Sequence, residues 1–358
     1  MNLVYFIIGA CVVFLLLTGC DPFKTKISAK DIVEYNSSEL GYELKDSLKI
    51  MTWNIKFGGG RIDFFFDCFG DRVLMDSSEV LNNMSNLCLF INKYDPDILF
   101  VQEVDLNAKR SVSIDQVDYL LKHTELTHAV YVPQWKAIKI PSRGLGHMNC
   151  GIAILSRFPL SKPEYIALPL MKNQSWLKRY FYLRRGILIS DVLIGELKIK
   201  LITTHLEAYS SDVTKRKQLD ILEQLLDSLN QQNIPFIFGG DLNVIPPGSA
   251  KVKGFPDSAC EDEFVADDFS QEVDWLMPFY KKYYSDMTLD EFKQNNAPYF
   301  SHTVDGRGFW NRKIDYLFSN YPFSEGKSQT HQVDSIKGVT TMMVSDHCPV
   351  SVEISLTQ

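Results

Sequence analysis

Apolar positions along this chain repeat every second residue in some stretches and every third or fourth in others, with polar punctuation between them. "LKIMTWNI" at 48–55 has the strand pattern and stops at Gly58-Gly59-Gly60. Val80, Leu81, Met84, Leu87, Cys88 and Ile91 then recur at helical spacing, and Pro96 ends that segment. "DILFVQEV" at 97–104 reads as a buried strand, and "HAVYV" and "CGIAIL" as further short ones. "GILISDVLI" and "LKIKLITTHL" predict a hairpin about Gly195-Glu196. Ser211 to Asn230 predicts an amphipathic helix with Leu219, Leu222, Leu226 and Leu229 as its buried stripe and Ser211 or Asp212 as its cap. A strand at 235–240 follows. Residues 244 to about 300 are looser, acidic and aromatic, with a helix near 289–295. "KIDYLFS" and "PVSVEIS" are the last strands. Strands and helices do not alternate strictly, which argues against a Rossmann-like parallel sheet. The order fits an α/β domain of two packed sheets with helices outside, running from 47 to 358 without internal repeats.

The first residues follow another rule. Leu3 to Leu17 is apolar almost throughout, about 15 residues where a spanning helix needs roughly 20. That length suits the core of a signal peptide, and the small residues Thr18 and Gly19 suit a signal peptidase. "LTGC" at 17–20 resembles the bacterial lipobox, although no Lys or Arg precedes the apolar run. The resemblance implies a signal peptide over 1–19, a lipid on Cys20 and a protein held at a membrane of the bacterial cell envelope, facing the periplasm or the exterior. Residues 20–46 read as a polar tether.

Composition changes the picture little. The 358 residues carry a net charge of −7, which argues weakly against avid non-specific nucleic-acid binding without excluding a local basic groove. The seven cysteines are scattered with no CxxC spacing, so neither a zinc site nor a dense disulfide framework is expected.

The chemistry gathers where apolar strands end. Strand 48–55 carries Asn54, strand 97–104 carries Glu103, strand 197–205 ends in His205, and "FGGDLNV" at 238–244 delivers Asp241 and Asn243. Asp315 sits inside "KIDYLF", where an unpaired charge would cost several kcal/mol, and Ser345-Asp346-His347 precedes the last strand. Two residues apart on extended chain, Asp241 and Asn243 are expected to share a face. Carboxylates without cysteine suit a hard divalent ion, Mg²⁺ or Mn²⁺. Two histidines with separate carboxylates suit proton transfer and charge stabilisation. The inventory fits metal-assisted attack of water on a phosphate ester.

"MTWNIKFG", "FVQEVD", "TTHLEA", "FGGDLNV", "RKIDYLFS" and "VSDHCPV", in that order over 51–350, resemble the endonuclease/exonuclease/phosphatase superfamily. The resemblance implies a four-layered α/β sandwich of the DNase I-like type, two packed mixed sheets flanked by helices, with a metal-dependent site at one rim. It implies Glu103 as the main metal carboxylate with Asn54 and Asp346 beside it. His347 is expected to activate or position water, with Asp315 orienting it. Asp241 would hold the nucleophile or a metal-bound water, Asn243 a phosphate oxygen, and His205 the transition state or leaving group. "GIAILSRFPL" resembles a strand lining the family's site and makes His147 and Asn149 candidate substrate contacts. His123, His128, His302 and His331 lack such context and read as ordinary. "KNQSWLKRYFYLRR" at 172–185 mixes basic and aromatic residues, as single-strand-binding loops and membrane interfaces do, and as a solvated loop also can.

The expected function is therefore a membrane-anchored, Mg²⁺-dependent phosphodiesterase acting on a phospholipid headgroup or a related phosphodiester. Nuclease action on DNA or RNA is the alternative, and a non-catalytic phospholigand-binding protein is the reading from another class.

Overall fold

The computed structural model describes residues 21–36, 45–67, 70–208, 212–255 and 268–356. The 1–19 leader, Cys20 and Ser211 lie outside these residues.

Two mixed sheets pack face to face. The first runs β1 (Val33–Asn36), β4 (His128–Ile140), β5 (Gly146–Ser156), β3 (Ile98–Asp105), β2 (Ser47–Asn54), β15 (Val350–Ser355) and β12 (Gln329–Thr330). The second runs β10 (Tyr284–Ser285), β11 (Asp315–Ser319), β9 (Phe236–Asp241), β8 (Leu197–His205), β7 (Gly186–Ile194) and β6 (Leu160–Ala167). Most pairs are antiparallel, but β2 pairs with β3 and β8 with β9 in parallel. A small ladder joins β13 (Ser335–Ile336) and β14 (Val339–Thr340).

Period-2 alternation sorts the strand residues between layers. Ile50, Ile98, Phe100, Ile154, Leu201, Ile237 and Leu317 fill the space between the sheets. Met51, Trp53, Leu99 and Val101 point the other way, against Val80, Met84, Leu87 and Ile91 of helix Ser77–Tyr94. Asp76 and Glu79 cap that helix reciprocally, each side chain accepting the other's backbone N–H at 2.9 Å. On the far face Leu219, Leu222, Leu226 and Leu229 of helix Thr214–Gln231 pack on Ile189, Ile202 and Phe238. The result is helix, sheet, sheet, helix, the four layers expected. The hairpin closes as predicted, Ile194 opposite Leu197 with Gly195 at φ +60°. Asp212 receives the Thr214 N–H at 2.8 Å near the start of the second helix.

The stretch read as a tether is partly built into the domain. Val33–Asn36 pairs antiparallel with residues 128–131 of β4. The Phe23 carbonyl accepts the Ile138 N–H at 2.8 Å. Alternating side chains at 32–36 let this segment add an edge strand, which its polar average concealed.

Gly239 explains half of the Gly-Gly pair. A Cβ there would lie 2.3 Å from Cδ2 of Phe100 on the opposite sheet. The sheets approach so closely at this end that strand-end groups from both can meet. Gly239→Ala is expected to cost about 1–3 kcal/mol of stability through overpacking, read by urea unfolding.

His331 gives the domain a pH dependence. Burial pushes its imidazole down to about 4, against the opposing pull of Asp334. The unfolded chain binds that proton near pH 6.5, so the stabilisation is full above about 6.5 and is lost as pH falls towards 4. At pH 5 the loss is about 2 kcal/mol. Urea midpoints at pH 7 and 5 should differ less in His331→Gln than in the parent.

Candidate active site

Strand ends from both sheets converge at one rim. In the second sheet Asp241 stands directly opposite His205 on one side and Asp315 on the other. In the first sheet Asn54 ends β2 opposite Gln102. The Asn54 carboxamide nitrogen spans the gap, donating to Oδ2 of Asp241 at 3.1 Å and to Oε1 of Glu103 at 3.4 Å.

Glu103 reaches the cluster because β3 breaks its alternation. Val101 and Val104 both face the helix layer, although three residues apart on a regular strand means opposite faces. The extra residue is Glu103, at φ +54° in a β-bulge between Gln102 and Val104. Gln102 stays between the sheets, bonded to Thr52 and Thr203. A non-glycine residue at positive φ is strained, here by about 1–3 kcal/mol, and the bulge turns its carboxylate to the rim.

Asp315 Oδ2 accepts from the Ser301 hydroxyl at 2.6 Å and lies 2.8 Å from His347 Nδ1. His347 Nε2 is therefore turned towards Asp241, 3.7 Å from its Oδ2. His205 Nε2 approaches the same oxygen at 3.4 Å, and its Nδ1 lies 3.9 Å from Glu103 Oε1. The Ser345 hydroxyl donates to the Asn54 carbonyl at 2.8 Å and the Trp53 indole to that of His347 at 2.9 Å, tying the Ser-Asp-His turn to β2.

The groups divide by protonation. Burial alone would push the His347 imidazole down, but the Asp315 carboxylate, with Asp241 and Asp346 behind it, raises it to about 10. His205 is held well below its ordinary value by burial and by the Arg185 and His347 charges. Burial and then the Asp315 charge raise the Asp241 carboxyl to about 7. Glu103 is raised by burial and then by Asp346. Asp346 is itself held low despite burial, by Lys56, His347 and Arg61.

The Glu103 and Asp346 carboxylates repel each other, a repulsion a divalent cation would relieve, and Asn54 beside them offers Oδ1, which also accepts the Lys56 N–H at 3.0 Å. Two different groupings bring ligand atoms within 4.8 Å of one another, His302–Asp346–His347 and Asp241–Asp315–His347. In both, His347 is committed to its hydrogen bond with Asp315 and carries a proton, so it is a poor ligand. The residues fit Mg²⁺ or Mn²⁺ at Glu103, Asn54 and Asp346.

Two expectations need correction. Asp241 and Asn243 do not share a face by strand alternation, because Asn243 lies at φ +51°. A turn joins them instead: Asp241 Oδ1 accepts the Asn243 N–H at 3.0 Å, while the Asn243 side chain donates to the Leu206 carbonyl at 3.2 Å. Asn243 thus stays beside His205. His302 is not ordinary: its ring centre lies 4.3 Å from that of His347, and burial with the His347 charge keeps it neutral. Its Nδ1 is buried without a hydrogen-bond partner among the described residues. Lys56 was also missed. Buried at φ +45°, it pairs with Asp67 at 3.0 Å and stands 3.7 Å from Asp346. Neither residue ends an apolar strand, the signal that found the rest. His147 is exposed, and the Asn149 carboxamide oxygen accepts from the Tyr131 hydroxyl at 2.8 Å, so neither joins the cluster.

The model of the endonuclease/exonuclease/phosphatase family matches residues 51–347, from the β2 motif to His347. The chain belongs to the endonuclease/exonuclease/phosphatase family. Tyrosyl-DNA phosphodiesterase 2 of Xenopus tropicalis is 26% identical over 244 residues, covering 68% of this chain and 52% of that protein. The Danio rerio protein of the same name is 23% identical over 221 residues. The chain spans about half the length of the curated relatives it matches. Among solved structures, an endonuclease/exonuclease/phosphatase from Beutenbergia cavernae DSM 12333 superposes with a TM-score of 0.56 at 19% identity, over 86% of this chain and 71% of that one. TDP2 from C. elegans gives 0.51 at 20% identity, over 88% and 77%. At such identities these two structures speak for the fold.

Proposed function

We propose that this family member is a divalent-metal-dependent phosphodiesterase that hydrolyses its substrate by direct attack of water. The observation that carries the reading is the cross-sheet cluster of Asn54 and Glu103 with His205, Asp241 and the Asp315–His347 pair. When bound, the cation at Glu103, Asn54 and Asp346 supplies positive charge to the phosphoryl oxygens. Asp241 is the general base: its carboxyl, raised to about 7, matches proton transfer from water at neutral pH. His347 keeps its Nδ1 on Asp315 and offers Nε2–H to the charge that develops on phosphorus-bound oxygen. His205, neutral, lends an N–H to the leaving side, and Asn243 orients the substrate phosphate. In this reading His347 stabilises charge while Asp241 activates the water.

Two substrate classes have support. The names of the curated relatives favour a phosphodiester at a nucleic-acid end. The apolar leader and Cys20 favour a lipid headgroup diester at the envelope membrane. Turnover of bis-p-nitrophenyl phosphate by the full chain, with Mg²⁺ and with EDTA, tests the activity itself. Equal, negligible rates for the parent and Glu103→Ala would replace the enzyme with a phospholigand-binding protein. DNA with blocked 5′ ends and phospholipid vesicles, assayed side by side, decide the substrate.

A further inference from the structure

One surface is left unused by the chemistry. Helix Trp176–Phe181 stands out from the domain with Trp176 58% and Leu177 51% exposed, Lys172 and Lys178 exposed beside them and Arg179 half-exposed. Of the five tryptophans, this alone is exposed. Its inner face is fastened to the first residues described. The Tyr180 hydroxyl donates to Asp21 at 2.5 Å and accepts the Phe23 N–H at 3.3 Å. Phe23 packs edge-on against Phe181 at 5.1 Å. Ile138, 48% exposed, lies just across Phe23.

Asp21 directly follows Cys20, where the apolar leader ends. Whatever holds Cys20 at a bilayer therefore holds this helix there too, with only one peptide bond between Cys20 and the fastened segment. An exposed aromatic–aliphatic pair flanked by basic side chains suits the headgroup region, where rings sit at the interface and cations meet anionic lipid. Single-stranded nucleic acid would take the same side chains, but the segment fastened to this helix runs directly on from Cys20, which favours the bilayer.

We infer that Trp176 and Leu177 insert into the interface of the membrane that receives Cys20, and that helix Trp176–Phe181 seats the domain on it. The active site faces the same neighbourhood. The Tyr182 hydroxyl, one residue past the helix, donates to Glu207 at 3.0 Å, and Glu207 is two residues past His205. Seating the helix brings that rim close to the headgroups.

The inference rests on the anchoring reading for its occupant, and flotation of the full chain with vesicles reads that anchoring separately. Docking is read with full-length protein in phosphatidylcholine–phosphatidylglycerol vesicles whose acyl chains are brominated near the headgroup. Tryptophan fluorescence should be quenched, and Trp176→Phe should lose most of the quenching. Lys178→Glu with Arg179→Glu, which leaves the tryptophan in place, should weaken it at least about twofold. Equal quenching in the parent and Trp176→Phe overturns the inference. So does quenching by oligothymidylate in place of lipid, which would make the helix a strand-binding element. Hydrolysis of bis-p-nitrophenyl phosphate should be unchanged in these variants. Its absence from all of them would sink the phosphodiesterase reading and leave the docking result standing.

Discussion

His347→Ala is expected to lower the turnover of a phosphodiester by about 100- to 10,000-fold, the range for a positioned proton or charge donor. The size follows from the paired burial of His347 and Asp315. The imidazolium is held ready by a 2.8 Å contact to a carboxylate inside the domain, and its other nitrogen is turned to the rim. Substrate binding should change far less, because the interaction strengthens only as charge develops. Asp315→Asn separates positioning from charge. It keeps a hydrogen-bonding side chain but removes the charge that raises His347, so the alkaline limb of the rate profile should move to lower pH. The stability contribution has a defined sign. A histidine raised from about 6.5 to about 10 stabilises the fold fully below about pH 6.5, and that contribution is lost as pH rises through 10. Near-parental rates for His347→Ala would remove the histidine from the mechanism.

Glu103→Gln should abolish the response to metal. The parent is expected to gain thermal stability with Mg²⁺ or Mn²⁺, by about 2.7 kcal/mol at 100 times the dissociation constant. The amide keeps the shape of the bulge while removing a charge from the oxygen set. The melting shift should therefore vanish and turnover fall by at least about 100-fold, with folding unchanged. A parental metal shift in this variant would move the cation to the His302–Asp346 side of the cluster. In that case His302→Ala should lose the shift instead.

Much of this was legible in residue order. Strand ends carrying Asn54, Glu103, His205, Asp241 and Asp346-His347 announced the rim, because a charge or amide closing an apolar run needs a partner. The two parallel pairs, β2 with β3 and β8 with β9, bring those ends to one side. What periodicity could not show were departures from period. The bulge at Glu103 and the left-handed turn at Asn243 are single-residue dihedral choices, and both re-aim a side chain. His302 and Lys56 were hidden for another reason. His302 sits in a loop that pairs through one bridge with His347, a contact 45 residues away that local pattern does not encode. Lys56 looks like a surface lysine until its partners Asp67 and Asp346 are placed around it.

The segment ahead of residue 47 also bears on handling the protein. β4 is 13 residues long and forms one side of the first sheet, where β1 and the Phe23 carbonyl occupy backbone groups along its outer edge. A chain begun at residue 47 would uncover that edge, with Tyr131 and Val132 along it, and offer a long unpaired strand to any neighbour. Such a truncation is expected to aggregate by strand pairing, even with every residue of the candidate catalytic rim intact.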